Sequence, residues 1–357
     1  MRIVQLIDSL EAGGAERMAV NYANALSDKI AFSALVATRK EGILKATLEN
    51  QVSYLFLEKR CTLDLRAVKK LLAFCKSNDI QIIHAHSTSV LLAVMVKLLK
   101  PSIKVLWHDH YGNSKFLLNR STWSLKILLK FCSGAISVNS VLLDWIKKEV
   151  EFKNAIYLPN FVLQENNEIP VTILQGELGK RIICLANLRE QKNHALLIEV
   201  AKKLKENYPD WTFHFVGKDF YDETSTTIKN LIAENGLKQY VFLYGSCPDI
   251  QYVLNQASIG VLSSKSEGLP VALLEYGIAS LAVVVTDVGE ISTIINTNQN
   301  GMLVCSNNQE DFYEALLKLI SDQEIRISMG VQLKETVKDN YSKERVLNSY
   351  LNWIEKC

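Results

Sequence analysis

Twice along the chain, short apolar runs alternate with longer stretches of helical period. The first round places strands at residues 3–7, 31–37, 52–57, 80–84, 103–107 and 135–138. The second restarts at 181–185 and continues with a helix at 194–207, strands at 211–216, 240–243 and 258–262, and a helix near 226–235. Apolar runs without polar alternation are buried on both faces, and such strands separated by helices form parallel sheets covered on both sides. The pattern predicts an α/β fold in two doubly wound Rossmann-like halves facing across a cleft, and 357 residues can hold two such domains. We place the boundaries at 1–170 and 171–340, with 341–357 as a helix crossing back to the first domain. The polar, turn-rich stretch 164–170 marks the crossing.

Composition narrows the class. Hydrophobic residues make up 48% and charged residues 22%, as in soluble α/β proteins. No apolar run reaches the roughly 18 residues that span a bilayer, and Arg2 and Asp8 bring charge too early for a secretory leader, so the expectation is a cytoplasmic protein. Seven cysteines are scattered without a Cys-x-x-Cys pair, which implies neither a disulfide framework nor a thiolate zinc site. The net charge of +2 hides an asymmetry: residues 1–170 carry 22 Lys and Arg against 15 Asp and Glu, the remainder 18 against 23. Between 97 and 130, Lys97, Lys100, Lys104, Lys115, Arg120, Lys126 and Lys130 face a single acid, Asp109, and alternate with Phe116, Leu117, Trp123, Leu125, Leu128, Leu129 and Phe131. This suits a basic amphipathic helix on an anionic membrane face, or a packing helix with solvated lysines. No nucleic-acid-binding module accompanies it.

Candidate chemistry sits at strand ends, where α/β sheets bind ligands. After 258–262 comes a loop with Glu267, Gly268 and Leu269, then Pro270 as a first-turn proline and Glu275 about a turn inside a helix. Gly268 lets a ligand approach the backbone, and a helix start suits phosphate. Gly13-Gly14-Ala15-Glu16-Arg17 follows the first strand and is not a Gly-x-Gly-x-x-Gly dinucleotide fingerprint. Two His-x-His pairs, His84 with His86 and His108 with His110, end two further strands. With Asp109 they are a possible metal site, and imidazole is a common ligand.

These strings resemble a known family. Glu267 and Glu275 with Gly268 and Pro270 between them are similar to the Glu-x7-Glu motif of glycosyltransferase family 4, retaining enzymes of the GT-B fold. Gly13 to Arg17 resembles the family's glycine loop, and residues 186–194 resemble its phosphate-clamping loop, with Asn187 where Arg is usual. The resemblance implies a transfer from a nucleotide sugar, by default a uridine diphosphate sugar. Lys192 and Arg189 would take the diphosphate with the helix start at Gly268 and Leu269. Glu267 would hold sugar hydroxyls, Glu275 the ribose, and His110 the transferred sugar. Gly14, Gly217 and Gly245 would line the donor site; Gly13, Glu16, His86 and His108 would meet the acceptor, with His84 structural. It implies metal-independent chemistry without a cofactor, since no Asp-x-Asp pair is present, and an acceptor on a lipid-linked or cell-surface glycan. A GT-B epimerase or phosphorylase, or a catalytically dead nucleotide-sugar-binding subunit, is the alternative, the last motivated by Asn187 and by Thr293, where a further Glu is expected.

Overall fold

The computed structural model describes all residues except 113–116, 118–119 and 164–169. Lys115 and Phe116 of the basic stretch, and nearly all of the crossing at 164–170, lie outside the described residues. The chain forms two compact units, Met1–Leu163 with Lys343–Cys357, and Gln164–Ser342.

In the first unit, strands β1 (Arg2–Ser9), β2 (Phe32–Lys40), β3 (Ser53–Phe56), β4 (Ile82–His86), β5 (Lys104–Asp109), β6 (Gly134–Ser137) and β7 (Ala155–Tyr157) form one parallel sheet in the order β3-β2-β1-β4-β5-β6-β7. In the second, β8 (Arg181–Leu185), β9 (Thr212–Val216), β10 (Val241–Gly245), β11 (Ile259–Leu262), β12 (Ala282–Thr286) and β13 (Met302–Val304) are again all parallel, in the order β10-β9-β8-β11-β12-β13. Each order reverses direction once, between β1 and β4 and between β8 and β11. At such a switch point the loops beyond neighbouring strands part, leaving a crevice outside the carboxyl ends. The switch points thus bring together the glycine loop after β1 with the histidines of β4, and the loop after β8 with the loop after β11.

The cores follow from the sequence pattern. Helices Leu65–Ser77, Val90–Leu99 and Ser140–Lys148 cover one face of the first sheet with an aliphatic layer that includes Val68, Leu71, Val94 and Ile146. The other face is different. Under helices Gly14–Ser27 and Lys343–Ile354 it buries Gln5, His84, His86 and His108 among Tyr22, Tyr350 and Phe161. Three sequence expectations are corrected. The basic stretch is not one helix: it takes in the end of Val90–Leu99, the strand β5, and a short helix Trp123–Leu129. Pro270 precedes its helix, Val271–Ile278, as the capping residue, with extended backbone, rather than sitting in the first turn. Strand β7, three half-buried residues, was not expected.

Candidate active site

In the second unit the loops after β8 and β11 are fastened to each other. The Ser263 hydroxyl donates to the Lys192 and Asn193 carbonyls at 2.9 and 3.0 Å, and the Lys265 amide donates to the Gln191 carbonyl at 2.7 Å. Thr286, at the end of β12, donates to the Ser264 carbonyl at 2.7 Å. Held this way, Lys192 Nζ lies 2.5 Å from Glu267 Oε1, and the Ser264 hydroxyl donates to the same oxygen at 2.6 Å. Glu267 is only 4% exposed. A carboxylate so far from water must be paired, so Glu267 and Lys192 fix each other before any ligand arrives. Arg189 is exposed, its guanidinium 4.7 Å from the centre of the Phe220 ring. Asn187 points elsewhere: its Oδ1 accepts from the Lys218 amide at 2.7 Å and braces the turn after β9.

Two glycines are required by close approach. A Cβ on Gly217 would stand 2.2 Å from the Ala186 carbonyl oxygen, where the loops after β8 and β9 cross. Gly289 has φ +63°, and a Cβ there would stand 2.3 Å from the Glu267 carbonyl oxygen. The next residue, Glu290, donates its amide to the Gly268 carbonyl at 2.9 Å. The Thr-Asp-x-Gly turn at 286–289 thus supports the Glu267 loop from below. Gly245, at φ +68°, accepts from the Gly217 amide. Glu275 is half-buried, a turn inside Val271–Ile278, whose start follows the loop directly.

In the first unit, Gly13 caps helix Gly14–Ser27, and the Glu16 carboxylate folds back over it so closely that a Cβ on Gly13 would meet Glu16 Oε2 at 2.3 Å. Along β4 and β5 the four histidines form a ladder on one sheet face. His84 Nε2 lies 3.2 Å from His108 Nδ1, with the two rings within 7° of one plane direction. His86 Nδ1 lies 2.9 Å from His110 Nε2, and His86 Nε2 lies 2.9 Å from Gln5 Oε1. The Tyr350 hydroxyl of the last helix lies 3.1 Å from His84 Nδ1. Burial pushes all four imidazoles down, His84 and His110 to about 3 and His86 and His108 well below the ordinary histidine value, so the ladder is uncharged. His110, at the end of the ladder, is half-buried; the others are fully buried.

Nitrogens of His84, His86 and His108 all fall within 4.8 Å of one another, a spacing that invites a metal. The bonding speaks against it. Zinc held at about 2.0–2.1 Å by imidazoles needs their lone pairs to converge on one point, whereas both nitrogens of His86 are engaged with Gln5 and His110.

Beside the ladder, Asp109 is 1% exposed and meets Arg120 in a two-point contact of 2.5 and 3.0 Å. Arg120 also lies over Tyr111 and Trp145 at 4.5 and 4.6 Å. Burial still holds the Asp109 carboxyl above the usual range. This pair ties Arg120 to the last residue of β5.

Two family models match, one to each half: Glycosyltransferase Family 4 over residues 12–162, and Glycosyl transferases group 1 over residues 167–336. The chain is a GT-B glycosyltransferase. An uncharacterized glycosyltransferase of Haemophilus influenzae is 22% identical over 95% of both chains. The Escherichia coli UDP-Gal:alpha-D-GlcNAc-diphosphoundecaprenol alpha-1,3-galactosyltransferase is 23% identical, over 91% of this chain and 88% of its own. Among solved structures, Anabaena Alr3699/HepE in complex with UDP and glucose superposes with a TM-score of 0.78 over the full length of both chains at 14% identity, which speaks to the fold.

In this glycosyltransferase the sequence reading places Lys192, Glu267, Gly268, Leu269 and Glu275 around one switch point, with Gly217 and Gly245 in the neighbouring loops. It put His86 and His108 against the acceptor, and both are at 0% exposure. Their place is behind His110. It also missed Gln5, a polar residue in a strand of otherwise apolar inward positions, and Ser264, whose hydroxyl completes the Glu267 contact. The signal for Gln5 was present as a break in the apolar run Ile3 to Ile7.

Proposed function

We propose that this glycosyltransferase moves a sugar from a uridine diphosphate sugar to a hydroxyl of a lipid-linked or cell-surface glycan, with retention at the anomeric carbon and without a metal ion. The observation that carries this reading is the Lys192–Glu267 pair fixed beside a helix start at the switch point of the second sheet. Lys192, Arg189 and the first-turn amides of Val271–Ile278 supply preorganised positive charge for a departing diphosphate, the main term in such a transfer. Glu275 takes the ribose hydroxyls, Glu267 the sugar hydroxyls it can reach while holding Lys192, and His110 the transferred sugar. The departing phosphate accepts the acceptor's proton, so no protein base is required. The named activity of the Escherichia coli relative, an alpha-1,3 linkage made from UDP-Gal onto alpha-D-GlcNAc-diphosphoundecaprenol, supports donor class, retention and acceptor class together.

Ligand-detected binding of nucleotide sugars in EDTA tests the donor site. One UDP-sugar binds the wild type, and Glu275→Ala weakens it at least about tenfold, the loss of a hydrogen-bond pair to a charged group. Binding that requires magnesium would overturn metal independence, and binding by neither protein would make the chain a vestigial subunit.

The acceptor class implies work at a membrane face. No helix among the described residues is long and apolar enough to cross a membrane. Trp123 is 74% exposed, with Leu98, Leu99, Ile127 and Phe131 also exposed, and Lys97 and Lys130 flank them. Such a surface attracts an anionic leaflet, each lysine adding up to about 1 kcal/mol. The double variant Lys97→Glu, Lys130→Glu is expected to lose tenfold or more in cosedimentation with phosphatidylglycerol vesicles at low salt. Equal binding to neutral and anionic vesicles would dismiss the surface.

A further inference from the structure

We propose that Gln5 and His86 are positioning residues that fix which nitrogen of His110 carries its proton, leaving His110 Nδ1 as an acceptor that orients a hydroxyl of the transferred sugar. The inference deepens the reading above and rests on it for the identity of the group His110 meets.

Gln5 lies in the middle of β1, paired in register with His84 of β4, and is fully buried. A carboxamide in that position persists only if it is hydrogen-bonded. Its oxygen, which can only accept, lies 2.9 Å from His86 Nε2, so that nitrogen carries the hydrogen. A neutral imidazole has one N–H, which leaves His86 Nδ1 bare and able only to accept. The group 2.9 Å away is His110 Nε2, which must therefore donate. His110, neutral in its turn, is left with an unprotonated Nδ1.

Two conditions hold the chain in that direction. The first is neutrality. The groups facing it are His84 of β4, His108 of β5, Tyr22 of helix Gly14–Ser27 and Tyr350 of helix Lys343–Ile354, and burial suppresses ionisation in every one. Asp109, the nearest acid along the chain, is occupied by Arg120. The second is the sense of the Gln5 amide, since turning it over would reverse every donor and acceptor. In the structure the amide oxygen is the atom that faces His86 Nε2, at 2.9 Å, while the amide nitrogen has no hydrogen-bond partner among the described residues.

The consequence is chemical. A bare imidazole nitrogen accepts from a sugar hydroxyl and places lone-pair density near developing positive charge; it cannot serve as a general acid.

The test is nitrogen NMR of the protein labelled with ¹⁵N-histidine, with His110 assigned by His110→Asn. The expected spectrum shows His110 protonated on Nε2 and bare on Nδ1, unchanged from pH 8 to pH 6.5, and a mixture of tautomers in Gln5→Leu. In steady-state transfer, Gln5→Leu loses about tenfold or more in kcat, as loss of an orienting partner does, while bare UDP binds within about twofold of wild type. Gln5→Glu, which favours a charged His86 and reverses the His86 to His110 donation, loses kcat and regains part of it as pH rises. A wild-type His110 protonated on Nδ1, or the same tautomer in wild type and Gln5→Leu, would overturn the proposal whatever the activity. Should Gln5→Leu fail to fold, the wild-type spectrum alone decides. Because UDP binding is read separately, a failure of the donor-site reading is distinguishable from a failure of this one.

Discussion

Lys192→Ala is expected to lower the rate of sugar transfer by about 10² to 10³, the usual effect of removing one preorganised contact to developing charge. The structure adds a second effect that must be separated from the first. Lys192 is the ion-pair partner of Glu267, which is 4% exposed, and its removal leaves a buried carboxylate without its counter-charge, though still bonded by the Ser264 hydroxyl. Breaking such a pair costs up to about 3 kcal/mol, less than for a fully buried pair because the lysine side chain retains 19% exposure. The double variant Lys192→Ala, Glu267→Gln removes the stranded charge. Its unfolding free energy should return most of the way to wild type while its kcat stays at the level of Lys192→Ala or below. Recovery of kcat together with stability would mean that Lys192 serves only to hold Glu267, and the diphosphate-binding role would fall.

That pair also shows what a sequence can and cannot say. Glu267 and Lys192 were each recognisable by their strings, yet they lie 75 positions apart, and only the reversal of strand order between β8 and β11 makes them neighbours. The strands were readable because buried parallel strands are uninterrupted apolar runs; the three-residue β7 offered too few residues to form such a run. The basic stretch misled for the opposite reason. Its charges are evenly spaced, but β5 runs through its middle, so the charge pattern spans several elements instead of describing one. The histidines were placed correctly at strand ends but at the wrong depth. Their burial depends on Tyr350, 266 positions after His84, returning with the last helix to cover them. Local pattern fixes where a strand ends; a long-range contact fixes what lies above it.

The depth of those histidines gives the largest expected effect on stability. All six histidines of the chain are held below their ordinary value: His84, His110 and His214 to about 3, His194 to about 4, and His86 and His108 well down. A base whose pKa is depressed by folding stays neutral in the folded chain while the unfolded chain takes up a proton below about 6.5. The stability is therefore fully present well above pH 6.5 and is lost as pH falls through that value and on toward the folded pKa. Relative to high pH each histidine removes about 1.4 kcal/mol by pH 5.5, about 1 kcal/mol of it below pH 6.5, so the four in the first unit remove about 5 to 6 kcal/mol in all. A domain of this size has only about 5–15 kcal/mol in hand. Carboxylates held low, such as Asp64 and Asp249, begin to cost stability only near pH 4, outside this window. Asp109, held high, works the other way and offsets a small part. Denaturant unfolding at pH 7.5, 6.5 and 5.5, followed by tryptophan fluorescence, measures this, since four of the five tryptophans (Trp107, Trp123, Trp145 and Trp353) belong to the first unit. The slope of free energy against pH should correspond to uptake of about three or more protons on unfolding near pH 5.5. A flat profile between pH 6.5 and 5.5 would mean that the ladder already carries charge in the folded protein and that water reaches its imidazoles.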